Sequence, residues 1–131
     1  MPLFFSPRRE RTLTELDHAR LSHLIDVHRV SHWQQADVVP SRQVAPDVVT
    51  LYSLIEVQRP GQAAREKLAL CYPADAEPDQ GFISVLSPMG MALLGMRLGD
   101  TARWHEPTGE PAQANIVAML FQPESSGDYT T

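Results

Sequence analysis

The stretch FISVLSPMGMALLGMRLGDTARW, residues 82 to 104, decides how this chain folds. It opens on alternation, with Phe82, Ser84 and Leu86 on one side of a strand and Ile83 and Val85 on the other. Ser87 offers a hydroxyl to cap a helix, and Pro88 suits the first helical position, where its missing N–H costs nothing. A short apolar helix follows through Met89, Met91, Ala92, Leu93, Leu94 and Met96. Gly90, Gly95 and Gly99 permit close backbone approach and a tight exit. Gly99-Asp100 then turns the chain into a strand that ends at Trp104.

Downstream, PTGEP (107–111) reads as a turn, and residues 115–122 alternate as a last strand. Upstream, residues 48–58 and 66–72 read as two strands. They are joined by Arg59-Pro60-Gly61-Gln62, whose Pro-Gly pair predicts a type II turn. The loop PADAEPDQG (73–81) carries Asp75, Glu77 and Asp79. It lacks the glycine and distal glutamate of an EF-hand loop, so it reads as a solvated turn. Five strands around one short helix predict a small antiparallel α+β domain.

Before residue 41 the pattern is helical. Thr14 with Asp17 three residues on makes a capping-box-like start, and Leu21, Leu24, Ile25 and His28 line one face of a helix to about residue 30. Leu13 and Leu16 extend that stripe. Residues 31–39 read as a second helical piece stopped by Pro40. The predicted organisation is a flexible arm over 1–12, a short helical hairpin over 13–45 and one domain over 46–131.

The chain has 131 residues, 43% of them hydrophobic, and a formal charge of −5. Its length fits one domain with a small appendage. Its acidity excludes a nonspecific nucleic-acid binder and favours a protein partner. Cys71 is the single cysteine, so no internal disulfide forms and a reducing cytoplasm is the expected location. The opening MPLFF patch is too short for a signal sequence, and no stretch approaches a membrane span. His18, His23, His28 and His32 lack the HExxH or cysteine context of a zinc site and read as helix surface. Cys71 and the methionines read as core. No cofactor and no metal is expected.

Four segments resemble, in order, the bacterial GreA/GreB transcript-cleavage factors and their relatives the Rnk regulators of nucleoside diphosphate kinase. They are PDVVTLYS (46–53), YPADA (72–76), ISVLSPMGMALLGMRLGD (83–100) and FQPESSGDY (121–129), with TELDHARL (14–21) near the start. The resemblance implies an FKBP-like C-terminal domain of Gre type preceded by a helical hairpin. It also implies binding to bacterial RNA polymerase at the mouth of its secondary channel, and, for the polar tail, a Tyr129 that docks back on the body, with an untethered terminus as the alternative. In Gre factors the hairpin is a long coiled coil, and two acidic residues at its tip help hold a catalytic metal.

Two departures shape the functional expectation. The second helical piece offers only Trp33, Ala36 and Val39 before Pro40, too few for a long coiled coil. The tip HRVSHWQQ (28–35) contains no carboxylate, and Asp26 and Asp37 are set back from it, whereas a hard divalent ion needs convergent oxygen ligands. Leu86 fills the position where Gre factors carry an acidic residue before the Ser-Pro. The resemblance therefore implies a noncatalytic regulator of elongation, not an enzyme, that competes with Gre factors for the polymerase. Its implied contact residues are Ser87, Pro88, Met89 and Gly90, with Arg29, Val30, Ser31, His32 and Trp33 at the hairpin tip. A peptidyl-prolyl isomerase is the enzymatic alternative, though aromatics are only 7% of the chain and that chemistry needs an aromatic-lined pocket. A third reading is self-association as a homodimer through Leu13, Leu16, Leu24 and Trp33, an apolar surface that so small a second helix would leave exposed.

Overall fold

Alternation in LIEVQ buries Ile55 and Val57 and leaves their neighbours half-exposed, so β3 (Leu54–Gln58) is a strand with one face on the core. This is a computed structural model, and the description covers residues 11–26, 30, 32, 33 and 36–127. β3 turns into the antiparallel β4 (Glu66–Cys71) through the expected Pro-Gly turn. There Gly61 takes φ 75°, and the Gln62 amide donates to the Arg59 carbonyl at 3.2 Å. β7 (Pro111–Phe121) pairs with the other side of β3, and β6 (Thr101–His105) pairs with β7. The five-stranded order is β5-β4-β3-β7-β6, with β5 being Phe82–Ser84.

One pair corrects the expected antiparallel sheet, because β5 runs parallel to β4. The connection makes two 3₁₀ turns, Pro73–Asp75 and Pro78–Gln80. A hairpin would reverse the chain; this excursion returns it in the direction it came. α2 (Pro88–Leu93) follows β5 and packs against β6.

The N-terminal region also departs from expectation. Thr14 does cap α1 (Glu15–Ser22), accepting from the Asp17 amide at 3.0 Å. The helix ends at Ser22, however, and no second helix closes a hairpin over residues 37–39. Those residues form β2 (Asp37–Val39), parallel to β1 (Thr12–Thr14). Two β-branched valines favour extended backbone, and Pro40 excludes the helical region for Val39. The Asp37 amide donates to the Arg11 carbonyl at 3.0 Å. Arg11 and Thr12, expected in a flexible arm, are thus built into the fold, with Arg11 only 9% exposed.

Leu13, Leu21, Val30 and Trp33 share one core with Ile55, Leu70, Leu93, Leu94 and Ile116. Leu13 and Trp33 are therefore not available as a self-association surface. Of the four residues expected to form it, Leu24 is the exposed one, at 43%.

The segment before β3 is held by polar contacts rather than by a ladder. The Ser53 hydroxyl accepts from the Thr50 amide at 2.9 Å, and Tyr52 sits at φ 66° with its amide on the Leu70 carbonyl at 2.7 Å. The Leu51 amide donates to the Asp17 carboxylate at 3.0 Å, and the Thr50 hydroxyl donates to Glu124 at 2.7 Å. Gln122 donates to the carbonyls of Ala45 and Val48, both at 2.8 Å. The segments TELDHARL, PDVVTLYS and FQPES thereby meet in a buried polar knot. Burial raises the Asp17 carboxyl to about 6; the Glu124 charge adds to this, while the Leu51 amide, Arg20 and Thr14 oppose it. Tyr129 lies outside the described residues. Cys71 is fully buried in β4, its thiol pushed up by burial and by the charges of Asp75 and Glu77.

Candidate functional site

The turn from β5 into α2 builds itself from short polar side chains. The Ser87 hydroxyl donates to the Ser84 carbonyl at 2.7 Å and accepts from the Gly90 amide at 3.0 Å, which caps α2 as its sequence predicts. The Ser84 hydroxyl accepts from the Leu86 amide at 3.1 Å. Gly90 is required by space: a Cβ there would lie 2.0 Å from the Ser84 carbonyl oxygen and 3.0 Å from the Val85 Cα. Ser87 and Gly90 are thus the architecture of the turn. Pro88 is exposed and Met89 half-buried, and these two give the turn its outer surface.

Beside that surface runs an open groove of about 970 Å³. Leu86, Pro88 and Met91 form one wall, and Trp104 and Ala112 of β6 and β7 form the other. Arg59, at the end of β3, crosses between them. Its guanidinium carbon lies 5.5 Å from the centre of the Trp104 ring, its Nε donates to Glu66 at 2.9 Å, and an Nη reaches the Met89 sulfur at 3.7 Å. The Trp104 indole N–H donates to Glu106. Arg103 and His105, on the opposite side of β6 from Trp104, reach the groove's edge.

Two sets of residues distant in sequence converge here. His32, expected at a hairpin tip, lines the same groove as Pro88. Its imidazole is pushed below its ordinary range by burial and by the Arg11 charge, against a backbone hydrogen bond with Met91. Among the described residues, no other tip residue is presented with it. Val30 and Trp33 are core residues, 8% and 2% exposed, and Arg29 and Ser31 lie outside the described residues. Arg11 supports the wall from behind, donating to the carbonyls of Met91, Ala92 and Leu94 at 3.2, 2.6 and 3.0 Å. A cation on the last carbonyls of α2 complements the helix dipole.

Sequence reasoning placed Arg59 in a turn and Trp104 in a strand. Both placements hold, yet neither shows that the two stack and define the groove. Their meeting depends on β7 lying between β3 and β6, a non-local pairing with no local signal.

A capped α2 set after an edge strand, on a mixed sheet with a small N-terminal excursion, defines a Gre-type C-terminal domain. Residues 43–120 match the family described as transcription elongation factor GreA/GreB, C-terminal domain, and the chain belongs to that family. The regulator of nucleoside diphosphate kinase from Escherichia coli K12 is 32% identical over 95 residues, covering 72% of this chain and 70% of that protein. Transcription elongation factor GreA of Streptococcus sanguinis is 35% identical over 74 residues, 56% of this chain and 46% of that factor. The chain thus matches about half the length of that GreA. The solved prokaryotic transcription elongation factor GreA/GreB from Nitrosomonas europaea superposes with a TM-score of 0.68 at 29% identity, over 85% of this chain and 99% of that one. GreA factor homolog 1 of Thermus thermophilus, at 23% identity and a TM-score of 0.51, shares the fold.

Proposed function

We propose that this protein is a noncatalytic transcription factor that binds RNA polymerase near the secondary channel, competes there with Gre factors and modulates elongation. The observation that carries the proposal is the groove, where Pro88 of the α2 turn and His32 of the N-terminal excursion line one continuous surface. In a member of the GreA/GreB family this is a surface shaped to receive a protein. Transcript cleavage is not part of the proposed role. The segment HRVSHWQQ supplies imidazoles and amides where metal-assisted hydrolysis needs carboxylates. The isomerase reading gains nothing from the groove, where among the described residues the one large aromatic wall residue, Trp104, is 5% exposed and carries Arg59 over its ring.

The test is a fluorescence titration with core RNA polymerase, repeated with excess GreA or GreB, alongside a cleavage assay on a backtracked complex. Saturable binding displaced by the Gre factor, with no cleavage product, is expected. Binding that neither Gre factor displaces would remove the shared site, and cleavage above background would remove the noncatalytic role.

A further inference from the structure

The groove has a charge that the chain as a whole does not. The protein carries −5 overall, yet among the described residues no aspartate or glutamate lines the groove, whereas Arg59 and Arg103 do, with His32 and His105 beside them. Two carboxylates beside the groove are already engaged, Glu66 by Arg59 and Glu106 by the Trp104 indole. Arg103 is exposed and has no ion-pair partner among the described residues. Beside the two guanidinium groups the wall of Leu86, Pro88 and Met91 offers aliphatic contact. We infer that the groove selects an acidic, apolar-faced segment of a protein partner. Its aliphatic side chains would lie on Leu86 and Met91, and its carboxylates would face Arg103 and the outer edge of Arg59.

This inference rests on the groove being the partner-binding surface, and it specifies the chemistry of what binds. Charge complementarity of this kind sets partner choice and encounter rate more than raw affinity. Single-stranded nucleic acid is the other anionic, partly apolar occupant to consider. Binding of that kind stacks bases on open aromatic faces. Here the one aromatic wall residue among the described residues is buried and already carries Arg59 on its ring. The geometry therefore favours a peptide backbone with carboxylates over a strand of bases.

The experiment measures anisotropy of a fluorescein-labelled amphipathic helical peptide whose polar face is glutamate, and of a twin whose polar face is lysine. Both are titrated with the full chain and with two charge-reversed variants, Arg103→Glu in the groove and Arg97→Glu outside it, thermal melts confirming that each is folded. The glutamate peptide is expected to bind about tenfold more tightly than its twin at low salt, with the gap narrowing as salt screens the charges. Arg103→Glu should weaken that binding about fivefold, as for loss and reversal of one rim charge, while Arg97→Glu should not. Equal binding of the two peptides, no binding of either, or an Arg103→Glu variant indistinguishable from wild type would overturn the inference. So would tighter binding of a thymidine oligonucleotide than of the glutamate peptide. The same variants titrated against core RNA polymerase separate the two claims. Peptide selectivity without polymerase binding removes the proposed function and leaves the groove's chemistry intact. Polymerase binding without peptide selectivity does the reverse.

Discussion

Asp17 offers a direct test of the buried knot that ties α1 to the C-terminal turn. Its carboxyl is raised from 3.8 to about 6, so in the relevant range the native chain holds this proton more tightly than the unfolded chain does. Below about pH 4 both states are protonated and this group leaves stability unchanged. Between about pH 4 and 6 the unfolded chain ionises first, so its contribution turns against the native state as pH rises, and above about pH 6 the penalty is complete. At about 1.4 kcal/mol per pH unit the whole excursion amounts to roughly 3 kcal/mol. Asp17→Asn keeps an oxygen to accept from the Leu51 amide but cannot ionise. Urea denaturation followed by tryptophan fluorescence, run at steps from about pH 4 to 7.5, gives stability for both proteins. The stability of Asp17→Asn minus that of wild type should climb by roughly 3 kcal/mol across that range. The Arg20 attraction, at 3.6 Å, is already contained in that shift, which it reduces. A difference that stays flat with pH would refute the account of Asp17 as a buried, reluctantly ionised carboxyl.

Three further outcomes follow from the α2 turn. Gly90→Ala should cost about 3 kcal/mol or more, because its methyl group meets backbone at Ser84 and Val85 rather than a side chain that can move; thermal unfolding reads this. Ser87→Ala should cost about 1 kcal/mol through loss of the α2 cap, and a urea midpoint unchanged from wild type would count against the capping role. Arg11→Met retains the apolar stem but leaves the carbonyls of Met91, Ala92 and Leu94 without their shared donor. It should lose about 3 kcal/mol, with faster amide exchange in α2 than in β3 as the local signature.

What the sequence made legible was local. Ser87, Pro88 and Gly90 state the α2 turn within four residues, Arg59-Pro60-Gly61-Gln62 states its own turn, and Thr14 states the start of α1. The errors fell where a distant partner decides. Val38 and Val39 carried a strand preference, and Pro40 carried an extended constraint on Val39, but the strand exists because Thr12–Thr14 lies beside it. Residues 48–53 look like a strand by alternation. Thr50 and Ser53 instead hydrogen-bond locally, and Thr50, Leu51 and Val48 are held by Glu124, Asp17 and Gln122. The groove is the extreme case. Pro88 and His32 were singled out separately, and only the packed chain joins them through Met91, Arg59 and Trp104.

The lone sulfhydryl has a practical consequence. Cys71 is fully buried in β4, its Sγ against the Ile83 carbonyl at 3.6 Å and its ionisation opposed by the same burial. A thiolate-directed reagent therefore finds no target on the native surface. An Arg103→Cys or Pro88→Cys substitution would create a single addressable handle, and a dye placed there would report occupancy of the groove without background from elsewhere. The native thiol would meanwhile act as an internal clock, becoming reactive only when β4 and β5 part, so that one labelling time course counts the openings of the sheet itself.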